Sequence, residues 1–391
     1  MDYFKKEDFL MKKAYILAVL VLGASLSLCS CSNTNKDPVH PTVEQIEAAN
    51  PNDSAKSEDT NILEPASTEG MVRSRITNEW VKEDINNTRP IAMMIPNSST
   101  ASYYGLSKAS VLYECNVEGS MTRLMAIIDD WQSLNKIGNI RSARDYYIYW
   151  GFEWDSIFIH YGGPFYINDV ISRDDTQNIN CISNNDSYYR EEAKNTTDDC
   201  FTSAEKINLA MEEHGYTKEY RSGYSDPQHY MFASDDMPNT LEQYNDPLIA
   251  SKIDMSRCYP VTNCYFVYNN EKGTYDRYQN LSGSKDGPHI DEATGEQLSF
   301  ANIIVQNTYH EVRDQKGYLA FQVHDDTRDG WFFTKGKGIH VNWKKISDYG
   351  ATRYYDDDGN EILFNTGKTM VLIVEDGDSF TVDDKIVTSI K

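Results

Sequence analysis

The apolar positions of the chain are unevenly distributed. An apolar run, AYILAVLVLGASLSL at residues 14–28, follows the basic start Met11-Lys12-Lys13 and runs into Cys29-Ser30-Cys31. A short basic segment, an apolar core of about 15 residues and small residues before a cysteine predict a cleaved secretory signal over residues 1–30. The run falls short of the roughly 20 apolar residues a bilayer span needs. Residues 31–72 are then rich in Asn, Asp, Glu, Pro, Ser and Thr. Such a segment cannot bury enough apolar area to offset its ordering entropy, so it predicts a disordered tether.

Beyond residue 73 the pattern is that of a folded α+β protein. Residues 90–95 form a short buried-strand run that ends at Pro96 and Asn97. Residues 111–118 alternate, with Val111, Tyr113, Cys115 and Val117 on one face and Leu112, Glu114, Asn116 and Glu118 on the other. Gly119-Ser120 reverses the chain into residues 121–128, predicting a hairpin. Helices are expected over 145–154, where Tyr147, Trp150 and Trp154 share a core-facing stripe, and over 203–215, which stops at Gly215. A strand is expected at 157–161. After about residue 250, short strands alternate with turn pairs such as Lys272-Gly273, Lys316-Gly317, Asp329-Gly330, Asp358-Gly359 and Asp376-Gly377. The organisation read from this is a mixed α/β domain at 73–250 and a smaller, mostly β domain at 251–391.

Charge narrows the function. The formal net charge is −23, and removing residues 1–30, with four Lys and three Asp/Glu, leaves −24. Nucleic acid is excluded as a partner, because its binding requires clustered Lys and Arg. The same charge opposes lying on an anionic membrane, so attachment would fall to a lipid. The residues ending at Cys31 resemble the lipobox of bacterial lipoproteins, with Leu at −3 and a small residue at −1. That resemblance implies cleavage before Cys31, lipid on its thiol and an extracytoplasmic protein anchored to the bacterial cell membrane. Outside the membrane disulfides are possible, and Cys181 with Cys200 and Cys258 with Cys264 are the economical local pairs. Cys115 is left in an apolar strand.

A wider resemblance lies in RPIAMMIPN (89–97), GLSKASVLYE (105–114), VEGSMTRLMAI (117–127), IGNIRSARDY (137–146) and IHYGG (159–163). With NIIVQ (302–306), NWKK (342–345) and DDDGNEILFNTGKTMVLIVE (356–375), these resemble successive motifs of the YerB-like lipoprotein family. The resemblance implies an extracytoplasmic lipoprotein with an α/β N-terminal and a β-rich C-terminal domain, and no established activity. The chain departs from the family pattern at Pro96 and Ser110, where Asp is usual, and at Gly119-Ser120, where a glycine pair is usual.

The sharpest candidate chemistry is a polar patch. It comprises Asn97, Glu114, Asn116 and Glu118, with Arg123 across the hairpin and Arg141, Ser142 and Arg144 at a helix start. Arginines beside a helix N-terminus add fixed charge to free amides and the helix dipole, which suits a phosphate or carboxylate ligand. Alternatively, the arginines simply pair with Glu114 and Glu118. His160, on the strand before Gly162-Gly163, is a candidate ligand or base. Glu114 and Glu118 lie about 13 Å apart along a strand, too far for a glycosidase pair. No metal-site spacing, phosphate loop or nucleophile motif occurs, so neither metal nor cofactor is expected. The absence of a catalytic signature favours a non-catalytic module that binds a cell-wall polymer or an envelope protein. The alternative is a cell-wall glycan hydrolase or transferase using Glu118, His160 and the Arg141/Arg144 pair.

Overall fold

In the computed structural model, residues 69–191, 198–281 and 286–388 are described. The signal segment, Cys31 and nearly all of the tether lie outside them. A long mixed sheet organises the described residues. Its principal strands are β1 (Ile91–Pro96), β2 (Val111–Asn116), β3 (Thr122–Ile128), β4 (Ile157–His160), β5 (Asn178–Asn180), β6 (Asn302–Thr308), β7 (Asp325–Thr334), β8 (Lys337–Lys345) and β9 (Thr369–Glu375). They lie in the order β8-β7-β6-β9-β2-β3-β1-β4-β5. Among these, β8, β6, β9, β2, β1, β4 and β5 run the same way, with β3 and β7 antiparallel to their neighbours. The carboxyl ends of the seven co-directed strands therefore lie along one edge, where open α/β sheets place their ligands.

The segments expected as separate domains thus share one sheet: β9 and β6, from beyond residue 250, pair in parallel with β2 and with each other. The overall class is α+β, with the β-rich region concentrated in the C-terminal half.

Both sheet faces are covered, so the central strands are buried along both faces and their apolar residues run consecutively instead of alternating, with a few buried polar residues among them. One face (Ala92, Met94, Val111, Tyr113, Met125, Ile127, Val371) packs on helix α1 (Asp145–Phe152) through Tyr146, Tyr147 and Trp150. The expected stripe of Tyr147, Trp150 and Trp154 is buried. The other face (Met93, Leu112, Leu124, Ile303, Leu372) packs on helix α2 (Ala204–His214) and on a second sheet. That sheet is built from Lys252–Asp254, Tyr265–Asn269, Thr274–Gln279, Ser379–Val382 and Lys385–Thr388, with shorter strands at its margin. Helix α2 starts and stops as its sequence requires: the Ser203 side chain accepts from the Lys206 amide, and Gly215 closes the helix at φ 70°.

One register matters for the site. The β2–β3 turn is wider than a two-residue hairpin: the Val117 amide donates to the Met121 carbonyl, and Gly119 and Ser120 both take left-handed conformations (φ 76° and 56°). Cys115 consequently faces Arg123, and Glu114 faces Leu124. Directly opposed residues share a face, so Arg123 lies on the α1 side while Glu114 lies on the second-sheet side. The expectation of one polar face holding both is corrected by this single-residue offset. Ser120 occupies a conformation that favours glycine, the residue usual there in the family the sequence resembles.

Candidate functional site

The predicted residues separate into a buried group behind the sheet and a partly open group at its carboxyl edge. Glu114 is fully buried and accepts from Asn97 Nδ2 at 3.0 Å, Thr122 Oγ1 at 2.7 Å, Arg277 at 2.7 Å and the Cys264 thiol at 3.6 Å. Its oxygens are fully engaged and sealed from solvent. Burial pulls the Arg277 guanidinium down, but the charges facing it, Glu114 first, hold its pKa above the ordinary value. Arg277 also donates to His289 Nδ1, and burial, then Arg277, hold His289 well below the usual imidazole range and thus neutral. Asn116 donates to Glu375 at 3.0 Å and to the Cys258 carbonyl at 3.3 Å. Asn97, Glu114 and Asn116 therefore join the large sheet to the second sheet, and do not form an open ligand site.

His160 is also withdrawn from solvent. Its Nδ1 lies 2.8 Å from the Gly162 carbonyl and its Nε2 lies 3.2 Å from Asn178 Oδ1, and burial keeps its pKa below the ordinary value. It holds the chain reversal after β4 and cannot reach a ligand at the edge.

The remaining five residues stay together. Segment 141–143 is pinned between strand ends: the Arg141 amide donates to Met94, and the Ala143 amide donates to Gly162. Arg144 precedes α1 without a side-chain cap and makes a two-point contact with Glu118, one arm Nε–Oε2 at 3.0 Å. Partial burial opposes ionisation of Glu118, but the Arg144 charge and hydrogen bonds outweigh it, so Glu118 titrates below the usual carboxylate range. A glycosidase acid needs the opposite shift. Arg141 lies 3.4 Å from Asp198, which also accepts from Ser98 Oγ at 2.5 Å and Thr100 Oγ1 at 2.7 Å. Arg123 donates to the Ser142 carbonyl at 2.7 Å, and its buried Nε has no hydrogen-bond partner. Burial, then the charges of Arg144 and Arg141, lower its pKa to about 10. Three guanidiniums thus converge on Glu118 and Asp198, an excess of positive charge in an acidic protein. Pro96 pairs with Arg123 across β1 and β3, at the position where the resembled family usually has Asp.

Aromatic side chains extend from this edge. The Arg144 guanidinium lies 5.5 Å from the Tyr318 ring, Tyr318 meets Tyr166 at 5.7 Å, and Tyr166 meets Phe165 at 4.0 Å. Phe165 is 69% exposed. Tyr166, Tyr318 and Asp198 escaped the sequence reading because their only link to Arg144 and Arg141 is tertiary. Arg277 was equally hidden, although a lone cation inside the strand TYDRYQ is a local sign of a buried partner.

All five cysteines of the described residues are free thiols. The Cys258 thiol donates to the Ser379 carbonyl at 3.3 Å, whereas that of Cys264 points to Glu114. The expected Cys258–Cys264 pairing is therefore not made, because the two sulfurs face different acceptors. Among the described residues no group of His, Cys, Asp and Glu could hold a metal ion.

A separate surface cluster titrates. His340 bridges Asp329 and Asp357, and these hydrogen bonds, Asp329 first, raise its pKa to about 9 against partial burial. A folded pKa above the unfolded value of about 6.5 contributes stability that is complete below that pH and lost as pH rises through about 9. For so exposed a cluster the expected loss is about 1 kcal/mol or less. Urea unfolding between pH 6 and 10 should show it in the wild type and not in His340→Gln.

The co-directed strands, the sheet covered on both faces and the cationic edge define an α+β protein built on a mixed central sheet, with its candidate site at the carboxyl edge of that sheet. Residues 76–217 match the N-terminal domain, and residues 253–371 the C-terminal domain, of the protein family of unknown function DUF3048, and the chain belongs to that family. It is 25% identical over 318 residues to "Putative lipoprotein YerB" of Bacillus subtilis (strain 168), covering 81% of this chain and 90% of that protein. The crystal structure of the YerB protein from Bacillus subtilis shares its fold, with a TM-score of 0.65 at 22% identity, over 78% of this chain and 96% of that one.

Proposed function

We propose that the protein is an extracytoplasmic lipoprotein, anchored through Cys31, that binds an anionic cell-envelope polymer at Arg123, Arg141 and Arg144. One observation carries this reading: Arg123 is buried beside two further guanidiniums with its Nε unpartnered. Burying a cation without a full set of acceptors is costly unless an anion completes it. The lipobox at Cys31 and the relative named as a lipoprotein support the location. The aromatic strip ending at exposed Phe165 favours a polymer of sugars, whose rings stack on aromatic faces.

No observation favours the hydrolase alternative. His160 is buried, and Glu118 is held ionised by Arg144. The test is co-sedimentation with purified cell-wall sacculi, native or stripped of their phosphodiester polymers. Wild type should pellet with native sacculi only, and Arg141→Gln should lose most of that binding. Equal pelleting of both proteins with both preparations would overturn the reading, as would released glycan fragments.

A further inference from the structure

Beside the arginines, the same carboxyl edge has a corner of opposite charge. Strands β6, β9 and β2 are neighbours and end at Thr308, Glu375 and Asn116. Thr308 stands opposite Glu375 in the parallel register, so both face the α1 side with Ile373. The Glu375 side chain is 23% exposed; it accepts from Asn116 Nδ2 at 3.0 Å, and its Oε2 lies 3.1 Å from His310 Nε2. The Glu375 amide donates to Asp378 Oδ2 at 3.2 Å, which brings a second carboxylate against the first. Burial, then the Glu375 charge, push the Asp378 carboxyl up to about 6. Arg328 is already paired with Asp325 and Asp376. Behind the carboxylates, Asn116 Oδ1 and Thr308 Oγ1 are buried without a hydrogen-bond partner. Asn116 turns its amide nitrogen to Glu375 and to the Cys258 carbonyl, so its oxygen is an acceptor left over beside the acids.

We propose that this corner, Glu375 and Asp378 backed by Asn116 and Thr308, binds a primary ammonium group carried by the same polymer whose anionic groups meet the arginines. The proposal deepens the anion-binding reading above and rests on it. A primary ammonium brings three donors, no acceptor and a full positive charge, which matches two carboxylates and an unpaired carbonyl oxygen. A sugar hydroxyl brings a donor without the charge. The two halves of the edge are close: Asn116 and Glu118 are two residues apart, at most about 7 Å along the backbone. Asn116 touches Glu375, Glu118 touches Arg144, and the Tyr146 hydroxyl donates to the Asn116 carbonyl at 2.9 Å. Positive charge is in excess on one side, and negative charge is in excess on the other, where Glu375 and Asp378 face His310. A zwitterionic repeat unit, with its amine a few bonds from its phosphate or carboxylate, offsets both.

The test is calorimetric titration of the full chain with a phosphate-rich cell-wall polymer fragment bearing primary amines, and with the same fragment after N-acetylation. The wild type should bind the free-amine form about tenfold more tightly or better. Glu375→Gln, which keeps the shape of the side chain, and Asp378→Asn should each bring the two affinities together. Equal affinities in the wild type, or a preference that survives in both variants, overturn the ammonium site and leave the arginine site standing. If neither form binds, the arginine reading fails, and millimolar ethanolamine decides the corner by nuclear magnetic resonance. Shifts of the His310 ring signals that Glu375→Gln abolishes uphold the ammonium site, and unmoved signals overturn it.

Discussion

Glu114→Ala is expected to destabilise the protein by about 3–5 kcal/mol, because it leaves the Arg277 charge buried without a counter-ion. Arg277 and Glu114 are both fully buried and 2.7 Å apart, and Arg277 comes from the second sheet. Asn97, Thr122 and Cys264 would lose their acceptor in the same change. Urea unfolding followed by tryptophan fluorescence gives the measurement. The paired replacement Glu114→Leu/Arg277→Met should recover most of the loss, since apolar residues can replace a buried ion pair at little cost. A single-variant loss below about 1 kcal/mol would mean that the pair does not join the two sheets.

Pro96→Asp is expected to weaken binding of an anionic polymer at least tenfold, about 1.4 kcal/mol, without removing any arginine. Position 96 faces Arg123 across the β1–β3 ladder, so the new carboxylate would meet the guanidinium whose Nε has no partner. The same variant should leave stability unchanged or raise it, because a buried cation gains a counter-ion. Losing function while keeping stability separates a ligand site from a structural ion-pair network, whose repair would not affect binding. Binding that matches the wild type in Pro96→Asp would argue that Arg123 takes no part. The comparison needs both an affinity measurement and an unfolding curve on the same preparations.

Local patterns in the chain were readable where the responsible forces are local. Helix α2 is specified by Ser203 at its start and Gly215 at its end, and α1 by its aromatic spacing. The strand runs at 90–95 and 111–116 were legible as apolar blocks. Register was not legible: Gly119-Ser120 invites a two-residue turn, and the wider turn moves Arg123 to the other face. Nor could the sequence show that β6 and β9 pair beside β2, since parallel pairing across such separations depends on how both faces are covered. The site was half legible for the same reason. Arg141, Ser142 and Arg144 adjoin in sequence, whereas Asp198, Tyr318 and Phe165 join them only in the fold. Glu114 looked like a ligand residue because its partner, Arg277, lies far along the chain.

The most direct test of the arginine edge is a calorimetric titration of the full chain with a phosphate-rich cell-wall polymer fragment and its dephosphorylated counterpart, across a salt series. The account predicts binding of the phosphorylated fragment only, an affinity that falls steeply with salt, and a shallower salt dependence in Arg141→Gln. Equal affinity for both fragments, or a salt dependence that Arg141→Gln leaves unchanged, would contradict it.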